Sequence, residues 1–144
     1  MFQKNMRQTI IRISTSGAGL YEFTERVRRF VDESGVETGL LTVFVRHTSC
    51  SLMIQENADV DVQRDLNAFF HRLVPPSDDP SMGWVVHRHE GPDDMPAHIK
   101  SALTQTSIGI PVSDGQVMLG TWQGLYLFEH RANPHRREVV LHIG

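Results

Sequence analysis

The chain has one cysteine, Cys50, so no disulfide can form within it, and a reducing cytosol is the expected compartment. No stretch approaches the roughly 20 apolar residues that cross a bilayer, so no membrane partner is expected. The amino terminus, MFQKNMRQTIIRISTSGAG, lacks the long apolar segment of a leader peptide and reads as a first strand. There is no excess of basic charge. Lys and Arg total 14 against 17 Asp and Glu, a formal net charge of -3, which argues against general nucleic-acid binding. Internal repeats and low-complexity tracts are missing too. What is there suits a globular protein: 144 residues, 40% of them apolar, fit one domain with a real core.

Isoleucine and threonine enrich residues 7–14, which predicts a strand. Gly17 and Gly19 punctuate a turn. Leu20, Phe23, Val27, Phe30 and Val31 then recur at helical spacing, with Gly35 as a stop. Residues 38–47 read as a strong strand, apolar on both sides in its middle, with Leu41, Val43, Val45 and His47 on one face. A further strand is expected over 49–56. Asn57 and Asp59 are candidate caps for an amphipathic helix whose stripe is Val62, Leu66, Phe69, Phe70 and Leu73. After a loop over 74–83, residues 93–105 predict another helix. Its expected buried stripe is Met95, Ile99, Ala102 and Leu103, and Pro96 is tolerable in its first turn. Short strands follow at 107–112, 116–121, 124–130 and 138–143. The order predicts a single α+β domain over 1–144, with a mostly antiparallel sheet or sandwich and about three helices.

The segment VVHRHEGPDDMPAHIK, residues 85–100, concentrates ionisable groups beside a turn and a helix start. His87 and His89 lie two apart and face the same way if extended, a chelating pair for zinc or a similar metal. His98 falls one helical turn from Asp94, at the edge of the apolar stripe, where a satisfied boundary histidine is the plainer reading. Asp93 and Asp94 suit a helix N-terminus. His47 ends an apolar face, either as a core histidine or as a group delivered to the rim. Thr48, Ser49, Cys50 and Ser51 after it suit an anion or a polar strand edge, and a Cys50–His47 nucleophile pair has no visible orienting group. Arg131, Arg136 and Arg137 either clamp phosphate or form a solvated basic turn.

Three blocks in order, HTSCSLMIQENADVDVQRDL, HRHEGPDDMPAHIKSAL and GTWQGLYLFEHR, resemble the YjbQ-like family, small proteins linked to a secondary thiamine-phosphate synthase activity. The likeness covers nearly the whole chain. It implies a homotrimer of an α+β fold with a metal-binding histidine cluster, for which His47, His87 and His98 are the matching positions. It also matches Thr48 and Ser49 after the first histidine, then Glu56, Asn57 and Asp59, the turn Gly120–Gln123, and Glu129 to Arg131. The sequence departs from the family pattern at Cys50, Val60 and Val85, and His89 lies outside the pattern.

The resemblance thus implies three imidazoles with an open fourth position, the form of a catalytic zinc site. Asp93, Asp94 and Glu90 are then orienting or acid–base groups, and Arg131 holds a substrate phosphate. Thr48, Ser49, Asn57, Thr121, Trp122 and Gln123 line the rest of the site. The implied reaction joins a pyrimidine diphosphate to a thiazole phosphate and releases pyrophosphate. The histidines make zinc the expected divalent metal, with magnesium possible for that substrate. Because diphosphates prefer magnesium on carboxylates to zinc on histidines, the synthase activity reads as side chemistry. Hydrolysis of a phosphate ester and non-enzymatic binding of a metal or anion stand as the alternatives.

Overall fold

A computed structural model describes residues 7–144, so the leader-peptide reading of the first six residues lies outside the described residues. Strand β1 spans Gln8–Thr15 and β2 Gly19–Glu22; helix α1 covers Thr24–Ser34. Then come β3 (Gly39–Val45), β4 (Cys50–Glu56) and α2 (Val60–Leu73). A short 3-10 turn at Pro80–Met82 precedes α3 (Asp94–Leu103), and β5 (Ser107–Ser113), β6 (Gln116–Val117), β7 (Gln123–Glu129) and β8 (His135–Ile143) complete the domain. Among the described residues no helix is long and apolar enough to cross a membrane.

All strand pairings are antiparallel. They build a five-stranded sheet in the order β1-β8-β3-β5-β6 and a three-stranded sheet in the order β2-β7-β4. The two-residue period explains which face packs. Leu41, Val43 and Val45 of β3 and Val139, Leu141 and Ile143 of β8 are all at most 1% exposed. They meet Leu125 and Leu127 of β7 and Val27, Phe30 and Val31 of α1 in one core. Each such side chain contributes roughly 1.5–3 kcal/mol by leaving water. Helix α1 stops at Gly35, whose φ of 70° is left-handed and suits glycine. Helix α2 starts at Asp59, whose Oδ1 accepts from the Asp61 amide at 2.9 Å.

Four expectations need correction. Leu20 lies in β2, paired with Phe128, because its three-residue step to Phe23 only imitates a helix. No residue of α2 is buried, and Phe69 and Leu73 of its apolar stripe are more than half exposed. Strand β6 is two residues long rather than six. In α3 the inward side carries Asp94, Pro96, Ala97, Lys100 and Ser101, while Leu103 is exposed. The small Ala97 and Ser101 let α3 approach β4, where Ser101 donates to the Cys50 carbonyl at 3.2 Å.

Candidate metal centre

That rotation of α3 places Asp94 and His98, one turn apart, on the side facing the 85–90 segment. The segment is irregular rather than a strand. Arg88 fixes it by donating to three backbone carbonyls, those of Val85 (2.9 Å), Ser77 (2.9 Å) and Met82 (3.0 Å). His87 is thereby carried over the start of α3. Its Nε2 lies 2.7 Å from Asp94 Oδ2 and 3.7 Å from Glu90 Oε2, and His98 Nε2 lies 3.2 Å from the same Asp94 oxygen. One donor atom from each of His87, Glu90, Asp94 and His98 falls within 4.8 Å of the others.

The tautomer of His98 follows from its second nitrogen. His98 Nδ1 is 2.8 Å from the Thr48 carbonyl, which can only accept, so Nδ1 carries a proton and donates. In the neutral ring Nε2 then points a lone pair at a carboxylate oxygen. Two lone pairs face each other only with a cation between them, either a second proton or a metal ion. An imidazole whose far N–H is held by a backbone carbonyl is also the usual form of a metal-ligating histidine. Ligands about 2.0–2.2 Å from a tetrahedral ion sit roughly 3.3 Å apart. Three of the separations, 2.7, 3.2 and 3.7 Å, straddle that value, and all four donors lie within 4.8 Å of one another, so these residues are the ones that could hold a small divalent ion.

Asp94 is 2% exposed at its side chain. Burial opposes its ionisation, but hydrogen bonds with His87 and Glu90 and the charges of His98 and Arg131 outweigh it and hold the carboxyl below its ordinary range. Arg131 donates from Nη1 to Asp94 Oδ1 (2.7 Å), from Nε to Asp93 Oδ2 (2.9 Å) and from Nη2 to the Glu90 carbonyl (3.1 Å). Asp93 Oδ2 also accepts from the Ala132 amide at 2.8 Å. The guanidinium fork thus orients both Asp93 and Asp94, and its expected contact with a substrate phosphate would fall to the N–H groups these bonds leave over.

The histidine expectation changes as well. His87 and His98 come together, but His47 lies just past the end of β3 and outside the four-residue group. Its Nε2 accepts the Glu138 backbone N–H at 2.7 Å, and burial and the Arg137 charge lower its pKa from the ordinary histidine value. It does border, with Phe44, Thr48, His98 and Ala102, an open groove beside the cluster. The His89 ring stands edge-on to His87 at 5.5 Å, outside the donor group.

Of the expected substrate-binding residues, Thr48 adjoins the cluster through its carbonyl. Ser49 is buried, and its Oγ accepts from Arg137 at 2.9 Å. Asn57, Thr121, Trp122 and Gln123 lie at the other end of the three-stranded sheet. Cys50 is registered with Glu129 there and Glu56 with Gln123, a separation along the strands of roughly 20 Å. Cys50 is fully buried, and burial pushes its thiol up to about 12, which removes it as a nucleophile. The sequence reading missed the buried Glu129–Arg137 ion pair, which ties β7 to β8 and to Ser49. Charged residues inside otherwise apolar strands were its only signal.

The same arrangement of elements occurs in solved proteins. A YjbQ/UPF0047 family protein of Clostridium acetobutylicum superposes with a TM-score of 0.83 at 35% identity, covering 94% of this chain and 99% of that one. A conserved protein of Thermus thermophilus gives 0.77 at 32% identity, covering 92% and 97%. A UPF0047 protein of Synechocystis sp. is 54% identical over 94% of this chain and 90% of its own length. The UPF0047 protein YjbQ of Escherichia coli O157:H7 is 38% identical over 92% and 94%. The family model described as UPF0047 protein YjbQ-like matches residues 9–144, a span holding every strand from β2 on, all three helices and the whole histidine–carboxylate cluster, and the chain belongs to that family.

Proposed function

We propose that the protein binds a divalent metal through His87, Asp94 and His98, with Glu90 in reach, and catalyses a reaction at a phosphate of a small molecule. Zinc is the metal the two imidazoles favour, and the two carboxylates leave room for magnesium with a diphosphate substrate. The observation that carries this reading is the His98 ring, with one nitrogen donating to Thr48 and the other aimed at the Asp94 carboxylate. A metal bound there supplies Lewis acidity and positive charge toward phosphoryl oxygens. The chain's own residues do the rest. Arg131 fixes Asp94, the Thr48 carbonyl fixes His98, and Glu90, an exposed carboxylate beside His87, accepts or returns a proton. The open groove along His98 and Ala102 gives the substrate its approach.

The narrower form of this proposal is thiamine phosphate synthesis, as the family resemblance implies; hydrolysis of a phosphate ester suits the same residues. A cytosolic home fits the single reduced cysteine. The test is metal analysis of the purified protein, followed by assays of thiamine phosphate formation and of phosphate-ester hydrolysis with and without chelator. Bound metal and chelator-sensitive turnover in one of the two assays are expected. Protein that takes up no zinc, or turnover indifferent to chelator, defeats the proposal. Stoichiometric metal with no turnover in either assay leaves a metal-binding protein without catalysis.

A further inference from the structure

Helix α3 has a second polar side. At 100° per residue, Asp93, Pro96 and Lys100 project away from Asp94 and His98. There they border a cavity of about 210 Å³ between α3, the end of α2 and the end of β7. Val74, Pro76 and Pro96 give it apolar walls, and Lys100 and His130 give it polar ones. Lys100 is 8% exposed and His130 is 3% exposed. The Lys100 ammonium forms no hydrogen bond or ion pair with a described residue; the carboxylate it feels is Asp93, which already answers Arg131. His130 Nε2 shares a hydrogen bond with Ser51 Oγ at 2.9 Å, while its buried Nδ1 has no partner.

A buried ring nitrogen that loses its hydrogen bond to water is costly without a partner, and His130 Nδ1 is such an atom. The Lys100 side chain, whose stem is buried, lines the same cavity. Here the two line one partly open cavity whose other walls are mostly apolar. We propose that this cavity is an oxyanion subsite, which takes a carboxylate or phosphate group of a small molecule between the Lys100 ammonium and His130 Nδ1. With the Ser51 hydroxyl donating to His130 Nε2, the neutral ring presents Nδ1–H to the anion. Lys100 supplies the charge, and its proximity together with burial keeps the ring neutral. His71 and Asp93 also border the cavity; Arg131 is shared between Asp93 and Asp94, and Asp93 acts on Lys100 through charge without an ion pair, which leaves the ammonium's hydrogen bonds open to an anion. The inference does not depend on the metal reading, because the cluster lies on the other side of α3.

The test is calorimetric titration of the full chain, in the presence of chelator, with inorganic phosphate and separately with acetate. At least one anion is expected to bind at millimolar concentration, and comparison of the two identifies the oxyanion class. Lys100→Met keeps the apolar stem and removes the charge. It is expected to weaken that binding at least about tenfold, the scale of roughly 1.4 kcal/mol, and to raise the melting temperature, since the desolvation cost of the ammonium is gone. A lysine with only a structural role predicts a lower melting temperature. If Lys100→Met does not fold, the His130 ring resonances of the wild-type protein replace it as the readout, and they must shift on anion addition. No binding of either anion, binding unchanged in folded Lys100→Met, or unmoved His130 resonances overturns the proposal.

Discussion

At the scale of single residues, a few lone pairs decide the chemistry. The Thr48 carbonyl selects one tautomer of His98, and Arg131 takes up one oxygen of Asp94 so that the other faces two imidazoles. Arg131 therefore acts through Asp94. A lysine there offers a point charge in place of a planar fork, so Arg131→Lys is expected to lower metal affinity about 10–100-fold, the usual scale for a residue behind the ligands. Metal titration checks it, and unchanged affinity would make the fork only a surface clasp. His47→Ala and His98→Ala separate the observed cluster from the three-histidine set implied by resemblance. The first is expected to keep the metal and the second to lose it; loss in both restores His47. Residue environment also sets the acid response. Burial first, then the Lys100 charge, lowers His130 from 6.5 to about 3 in the folded protein. Between those values the unfolded chain binds a proton that the folded chain does not. The contribution is fully present above about pH 6.5 and is lost as pH falls toward 3, on the order of 5 kcal/mol in all. Glu129 adds to it below about pH 4, since its ion pair holds its pKa down. Denaturation midpoints across this window are expected to fall with pH in the wild type and to fall less in His130→Gln. Parallel slopes would remove His130 from the acid response.

At the scale of elements, the parts legible in the sequence are those with one strong period and one partner. The alternation in β3 marked Leu41, Val43 and Val45, and the spacing of Val27, Phe30 and Val31 marked α1; all six are buried. Helix α3 was legible in extent but not in rotation. Of its expected stripe the fold uses only half: Met95 and Ile99 pack against Val74, Met82 and Val85, while Ala102 and Leu103 are exposed, because Ala97 and Ser101 are small enough to bring the helix onto β4. The polar residues then turn inward, and both the metal cluster and the Lys100 cavity follow from that turn. Nothing in the residue order reveals that Arg131, 37 positions from Asp94, reaches it. Helix α2 shows the reverse failure, with a clear stripe that one chain leaves partly open. Phe30→Ala in α1 is therefore expected to cost about 3–5 kcal/mol. Phe69→Ala, at a site 56% exposed, should cost under about 1 kcal/mol. Urea unfolding measures both, and comparable losses would mean that α2 is covered in solution.

At the scale of the whole molecule, the five-stranded sheet has one packed face and one open face. Ile10, Val140 and Phe44 are registered partners across β1, β8 and β3, and Leu40 continues the row toward Pro111 of β5. Ile10, Leu40 and Phe44 are 38–48% exposed, and Met118 beyond them is 61% exposed. Strands with apolar residues on both faces call for cover on both, and adjoining exposed apolar side chains mark association surfaces. A second copy of the chain is the partner expected here, and the homotrimer implied by the resemblance is the expected assembly, burying roughly 800 Å² per partner at each contact. Assembly also bears on the site. In one chain the Gly120–Gln123 turn and Asn57 stand about 20 Å from the cluster along the strands, so a neighbouring copy is expected to bring them together. Leu40→Glu adds a charge to the open face without touching the cluster or its groove. Light scattering at micromolar concentration is expected to give three times the 16.3 kDa chain mass for the wild type and a single chain for Leu40→Glu. The variant is expected to keep its metal and lose turnover, because the ligands come from one chain and the substrate turn comes from another. A monomeric wild type refutes the assembly, and a monomeric, fully active Leu40→Glu protein refutes the shared site.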